Sequence, residues 1–231
     1  MATEHKPTQE QPLFDRAKAT AMGPYLLCED PPHYLSAVGF EDIPEMVRVV
    51  NLDKSIYDGT ASFEYPYLES HAHARVARAV GYTTTKGYNT HWAMRTSPNG
   101  PLMGWIHSYL PPAGDELHPE TGRVLKIGEI GYWVSPEYQG KGYASRSARF
   151  VVQEILFKEF NCDIVRAEAY THNAGSRKVL EGAGMECEVE AKTVFIPKLQ
   201  EERVIGCYAA HRDDSTKRVR SPGSICTRPT Q

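Results

Sequence analysis

"GYWVSPEYQGKGYASRSARFVVQEI", residues 131–155, decides the fold. The apolar run Tyr132-Trp133-Val134 passes through a proline turn into Gly140-Lys141-Gly142, and from there into an amphipathic segment. Upstream, "VLKIGEIGYWV" from Val124 reads as a buried strand. Downstream, Ala144, Ala148, Val151, Val152, Ile155 and Leu156 share one face, with Arg146, Arg149, Gln153 and Lys158 off it. That spacing predicts a helix over residues 143–159. A strand, a glycine turn and a helix in this order make a phosphate cradle. The helix start offers unpaired N–H groups and a partial positive charge. Glycine lets a ligand approach the backbone and adopts unusual dihedrals at little cost. Gln139 and Lys141 stand beside the turn to add side-chain contacts.

Three sequence patterns build such a cradle. The pattern GxxxxGK[ST] fails, because Ser135 stands at its first glycine and Gly142 follows Lys141. The dinucleotide pattern GxGxxG meets Ser145 at its third glycine. Its downstream acid, Asp163, precedes the next strand instead of ending it, so it cannot reach a ribose. The third pattern, Q/R-x-x-G-x-G/A, is met by Gln139, Gly142 and Ala144.

On these residues the chain resembles the GNAT superfamily of acyl-CoA-dependent N-acyltransferases, and within it the RimJ/RimL-like branch. "GYWVSPEYQGKGYAS" is similar to that branch's strand–loop–helix signature. "HNAGSRKVLEGAGM", from His172, is similar to its N-x-x-S-x-x-V-L-E-x-x-G-[FM] element, and "FEYPYLESHAHARV", from Phe63, more loosely to its acceptor-side helix entry. The resemblance covers about residues 26–211. It implies an α+β fold, a mixed and mostly antiparallel central sheet flanked by helices, with a splayed strand pair holding acyl-CoA. It also implies the CoA contacts. Trp133 and Val134 would bond the pantetheine arm through strand backbone, as an added strand does. Gln139, Gly140, Lys141, Gly142, Tyr143 and Ala144 would hold the pyrophosphate, joined by Asn173 and Ser176. For Asn173 a helix N-cap and a CoA ligand are compatible readings. Ser176 orders the same turn or contacts CoA.

The chemistry implied is direct attack of an amine on acetyl-CoA in a ternary complex, with no covalent enzyme intermediate and no metal. An alkyl ammonium has a pKa of about 10, so a base must take its proton near neutral pH. Glu129, in phase with Gly131 and Trp133 on the strand, is the candidate; the alternative is a polar strand residue paired with Arg166. Backbone N–H near Val134 can polarise the thioester carbonyl. Some relatives carry a tyrosine acid where this chain has Leu180, so the proton donor stays unassigned, with Ser176 and Tyr170 the nearest hydroxyls. The acceptor is a primary amine: a protein N-terminus, a polyamine or another small amine. Its pocket is expected along residues 57–73, with Tyr57, Phe63, Tyr65 and Tyr67 as walls and Asp58, Glu64 and Glu69 facing a cation. The hairpin "EAKTVFIPKLQEERV" would close over it. The competing reading packs those aromatics against the early helices. Two rival functions are a CoA-binding module without turnover and a nucleotide-dependent oxidoreductase.

The remaining segments supply the frame. "EDIPEMVRVVNLDKSI" places Ile43, Met46, Val47 and Val50 at helical spacing, with Asp42 able to cap. "YLESHAHARVARAVGY" is a helix ended by Gly81. "THWAMRT" and "LMGWIHSYL" form a hairpin signalled by Asn99-Gly100. "DIVRAEAYT" is a strand, and residues 174–181 are a helix stopped by Gly182 and Gly184. "EVEAKTVFIP" and "ERVIGCYAAH" are an antiparallel pair.

Composition bounds the rest. With 231 residues and 41% hydrophobic content, one core and no dividing linker, a single domain over residues 25–212 is expected between polar tails at 1–24 and 213–231. A net charge of -3 argues against a nucleic-acid partner. No apolar run is long enough for a bilayer, and the first twenty residues lack a signal-peptide core. Five scattered cysteines without a CxxC pair argue against disulfides or zinc and for a reducing, cytoplasmic setting. His71 and His73 are two apart and point to different helix faces, so no metal is expected there. A monomer or homodimer using acetyl-CoA as co-substrate, with no membrane partner, is the expectation.

Overall fold

The computed structural model describes residues 23–110, 116–213 and 216. The expected tails at 1–24 and 213–231 lie almost wholly outside the described residues. Among the described residues there are eight strands: β1 (Tyr25–Glu29), β2 (Pro32–Ala37), β3 (His91–Arg95), β4 (Gly104–Tyr109), β5 (Ile127–Val134), β6 (Ile164–Tyr170), β7 (Glu186–Ile196) and β8 (Glu201–His211). They form one sheet in the order β1-β2-β3-β4-β5-β6-β8-β7. Every neighbouring pair is antiparallel except β5 and β6. A parallel pair needs a crossover, and the helical segment after the glycine turn supplies it.

Helices α1 (Ile43–Val50), α2 (Ser55–Gly59) and α3 (Glu69–Lys86) precede β3. Helix α4 (Tyr143–Phe150) and α5 (Ala174–Gly182) flank β6 in sequence. The alternation of side chains along the strands sorts these helices onto two faces. Trp105 and Trp133 pack with Ile43, Met46 and Val76 from α1 and α3. Ile106, Ile130 and Val134 pack with Ala148, Leu156 and Leu180 on the other face. Leu156 and Leu180 are wholly buried, and truncating either to alanine would cost about 2–5 kcal/mol.

Four local expectations change. The helix predicted over 143–159 keeps α-helical winding only to Phe150; Val151–Glu159 is a wider π-helix, where Phe160 N–H bonds the Ile155 carbonyl at 2.8 Å. Helix α3 does not stop at Gly81 but runs to Lys86, where Gly87 (φ 74°) makes the left-handed cap and bonds Thr83 O at 2.9 Å. A helical glycine costs about 1 kcal/mol, less than burial of Ala72, Val76 and Ala79 returns. Asp42 makes no side-chain cap for α1. Its buried carboxylate instead accepts from Arg95 Nη2 at 2.7 and 2.8 Å and from Gly39 N at 3.0 Å. The β3–β4 connection is no two-residue turn on Asn99-Gly100. Gly100 N–H bonds Ser97 O at 3.0 Å, which puts Pro98 and Asn99 at the centre of a turn within a longer loop.

Candidate functional site

Strands β5 and β6 pair for only three residues, Ile127↔Ile164, Gly128↔Val165 and Glu129↔Arg166. Beyond that point β5 stays bonded to β4 as far as Val134↔Gly104, and β6 stays bonded to β8 as far as Tyr170↔Ile205. Their facing edges part. The result is a slot lined on the β5 side by strand backbone with no neighbouring strand, the geometry that accepts an extended ligand as an added strand. Tyr132 reaches across to α5, its hydroxyl lying 2.9 Å from Ser176 Oγ and donating to Ser176 O at 3.0 Å.

The slot leads into the glycine loop. Pro136–Tyr138 makes a 3-10 turn, and Gly140 (φ 72°) and Gly142 (φ 80°) then take left-handed backbone. No protein atom lies within 4 Å of where a Cβ on Gly140 would be, so the space above it is open. Gly142 stands at the N-cap of α4, where no side chain caps the helix and the first turn closes with Arg146 N to Gly142 O at 3.1 Å. Several N–H groups of that first turn are therefore left for a ligand. Gln139 Nε2 donates to Val134 O at 3.1 Å and to Ser55 Oγ at 3.4 Å, tying loop, strand and α2 together.

Slot, loop and α2 border one cavity of about 730 Å³. Of the residues expected to contact CoA, Trp133, Val134, Gln139, Gly140, Gly142 and Tyr143 line it, as do Ala144, Asn173 and Ser176. Lys141 does not: its Nζ folds back on Glu137 O at 2.8 Å, over the Tyr138 ring. Asn173 caps α5, its Oδ1 accepting from Ser176 N at 3.0 Å. Its Nδ2 faces α2, within 3.1 Å of where a Cβ on Gly59 would stand.

Glu129 is outside the cavity lining, at the closed end of the slot where the strands still pair. Arg166, its register partner, makes a two-pronged ion pair with Glu116 at 2.7 and 2.6 Å. On the face that Glu129 shares with Gly131, the His107 ring covers Gly131 so closely that a Cβ there would lie 2.5 Å from Cε1. His107 stacks on His91 at 5.5 Å, and burial, then Arg75 and Arg78, lower the His91 pKa to about 4. Asp163, the acid of the rejected dinucleotide pattern, stands immediately before β6, buried and bound by Arg123 and Arg212, each at 2.6 Å, and it does not line the cavity.

The acceptor side differs from expectation. Phe63 and Tyr67 are each 2% exposed: Phe63 packs on Trp133 at 5.7 Å, and the Tyr67 hydroxyl points to Met46 Sδ at 3.9 Å. They are core. Asp58, Gly59 and Thr60, with Ser55 and Ile56, are what this region contributes to the cavity wall. The β7–β8 turn reaches the segment at Tyr57 and Phe63 without lining the cavity: Lys198 Nζ donates to Tyr57 O and to Phe63 O and lies 3.9 Å from the Tyr57 ring centre. Burial lowers the Lys198 pKa to about 8, against the opposing pull of Asp58 and Glu64.

Sequence reasoning missed Tyr132, His172 and α2. Tyr132 lies inside the quoted motif, and strand alternation alone sends it to the face opposite Trp133. His172 immediately precedes Asn173 and stacks on Tyr170 at 5.4 Å. Helix α2 carries no motif. Among the described residues, no group of three or more His, Cys, Asp or Glu is placed to hold a metal ion, and no helix is long and apolar enough to cross a membrane.

A family model described as an acetyltransferase (GNAT) domain matches residues 34–186. A protein of Aspergillus fumigatus named FsC-acetyl coenzyme A-N(2)-transacetylase is 35% identical over 86 residues, which span 37% of this chain and 35% of that protein. The chain thus matches about a third of the length of its curated relatives. Among solved structures, a GNAT-family acetyltransferase from Bacillus anthracis superposes with a TM-score of 0.60 at 22% identity, covering 78% of this chain and 94% of that one. A ribosomal-protein-S5-alanine acetyltransferase from Vibrio fischeri superposes with a TM-score of 0.59 at 16% identity, covering 79% and 94%. At these identities the likeness is one of fold.

Proposed function

Because this chain belongs to the acetyltransferase (GNAT) family, we propose that it transfers the acetyl group of acetyl-CoA to a primary amine by direct attack. The observation that carries this reading is the joining, in one cavity, of an unpaired β5 edge to an uncapped helix start behind two left-handed glycines. The open space above Gly140 fits a pyrophosphate, and the α4 N–H groups suit its charge. In this reading Trp133 and Val134 offer backbone to the pantetheine arm, and the first turn of α4 with Gln139 and Asn173 Nδ2 completes the hold. When bound, acetyl-CoA supplies an activated acyl group. Glu129 takes the amine proton from the closed end of the slot, directly or through water.

The acceptor class, a protein N-terminus, a polyamine or another small amine, is part of the proposal, as is placement in the RimJ/RimL-like branch, which rests on the two ordered motifs at residues 131–145 and 172–185. So is one catalytic domain over residues 25–212. The test is release of CoA thiol with a panel of amines and N-terminal peptides. Amine-dependent release with acetylated product is expected. Tight CoA binding without release for any amine would establish the CoA-binding module instead.

A further inference from the structure

We propose that the Tyr132 hydroxyl donates a hydrogen bond to the sulfur that leaves the thioester, an inference that rests on the acetyl-transfer reading above. Aminolysis forms the nitrogen–carbonyl bond and breaks the carbon–sulfur bond, whose electron pair stays on sulfur. The amine proton goes to the Glu129 side. A thiolate is thus generated inside the slot, and a donor aimed at it lowers the barrier.

The position of Tyr132 follows from the strand. An arm entering from Gly140 and Gly142 and running along β5 passes Val134 and Trp133 before it reaches Tyr132 and the branch at Glu129. Trp133 turns to the α1 and α3 face, so Tyr132 is the polar side chain that β5 sends to the α5 side of the cavity. Leu180, at the position where some relatives carry a tyrosine, is wholly buried and offers no donor. The Ser176 hydroxyl already meets the Tyr132 hydroxyl at 2.9 Å. Ser176 O, the present acceptor of the tyrosine hydrogen, lies inside α5, so that hydrogen can turn away without stranding a carbonyl. With Ser176 Oγ donating into the phenol oxygen, the remaining O–H becomes a stronger donor.

Burial raises the Tyr132 pKa well above the ordinary phenol value, the hydrogen bond from Ser176 opposing it. The phenol therefore stays protonated and lends a hydrogen bond without losing its proton; water protonates the thiolate on release.

The test combines binding with turnover, and starts from the thiol of bound CoA, titrated by thiolate absorbance in wild type, Tyr132→Phe and Ser176→Ala. Tyr132→Phe should raise the thiol pKa by about 1–2 pH units, the worth of one hydrogen bond to an anion. It should also lower kcat by about 10²-fold with the acetyl-CoA KM and CoA Kd kept. Ser176→Ala keeps the phenol and should fall between the two. An unchanged thiol titration in folded Tyr132→Phe overturns the proposal. So does a loss of CoA affinity that accounts for the whole loss of rate, because Tyr132 would then be a tie between β5 and α5. If wild type releases no thiol with any amine, the acetyl-transfer reading fails by itself, and the binding titration still decides whether Tyr132 faces the sulfur.

Discussion

The Arg146 guanidinium, one turn into α4, donates from Nε to Nδ1 of His33 on β2 at 3.3 Å, and His33 is fully buried, its ring edge-on to Tyr143 at 4.9 Å. An Nδ1 that accepts leaves Nε2 as the protonated nitrogen, facing Ser147 Oγ at 3.1 Å. Arg146 also bonds Lys141 O at 3.3 Å, so the imidazole props the loop through it. Burial first, and the Arg146 charge second, lower the His33 pKa from 6.5 to about 4. The unfolded chain therefore binds the proton first as pH falls. The stability contributed by His33 is complete above pH 6.5 and is lost as pH falls toward 4, by up to about 3 kcal/mol. Denaturation between pH 7 and pH 4 should show a shallower loss for His33→Gln than for wild type, with His91 leaving a residual slope. Parallel curves would rule His33 out as the source.

The loop itself predicts a separation of folding from binding. A methyl on Gly140 meets no protein atom within 4 Å, so Gly140→Ala carries only the left-handed backbone penalty of about 1–2 kcal/mol. The same methyl projects into the open space over the loop. Calorimetry should show CoA affinity falling by more than that penalty explains, while thermal melting stays cooperative. Undiminished affinity would move the pyrophosphate away from this loop.

At the other end of the slot, Glu129→Gln removes the proposed base while keeping the shape of the strand. Turnover should fall by roughly 10²-fold with CoA affinity unaltered. Its place outside the cavity lining makes the control pointed. If turnover stays at the wild-type level, the His107 ring over Gly131 or bulk water takes the proton instead.

The chain from Gly131 to Ala144 was legible because every requirement there is local: a strand edge, two positive-φ positions and a helix start. The motif at Asn173 was legible for the same reason, its cap closing within three residues. What the sequence hid depends on long-range packing. Asp42 carries the signature of an N-cap, yet Arg95, distant in sequence, takes its carboxylate. Gly81 reads as a stop, yet α3 continues because its buried face is held by α1 and the sheet. The acceptor wall stays open in the sequence because aromatic residues at 63 and 67 look alike whether they face a groove or a core. Only the placement of Trp133 and Met46 against them decides.

That distinction yields a last prediction, on the acceptor. Asp58 lines the cavity, and Lys198 clamps the carbonyls on either side of it, those of Tyr57 and Phe63. A carboxylate so placed favours a cationic amine as it enters, before its proton is removed. Asp58→Asn should therefore raise the acceptor KM and leave the acetyl-CoA KM in place, the pattern of a group that binds one substrate only. Tyr67 is the counter-case. Buried on Phe63 and Met46, it should cost about 3–5 kcal/mol when cut to alanine, while the folded fraction keeps both KM values. Steady-state kinetics of the two variants against one amine, with melting curves alongside, would separate the roles. A shift in the acceptor KM for Tyr67→Ala with none for Asp58→Asn would place the acceptor on the α3 side instead of against α2.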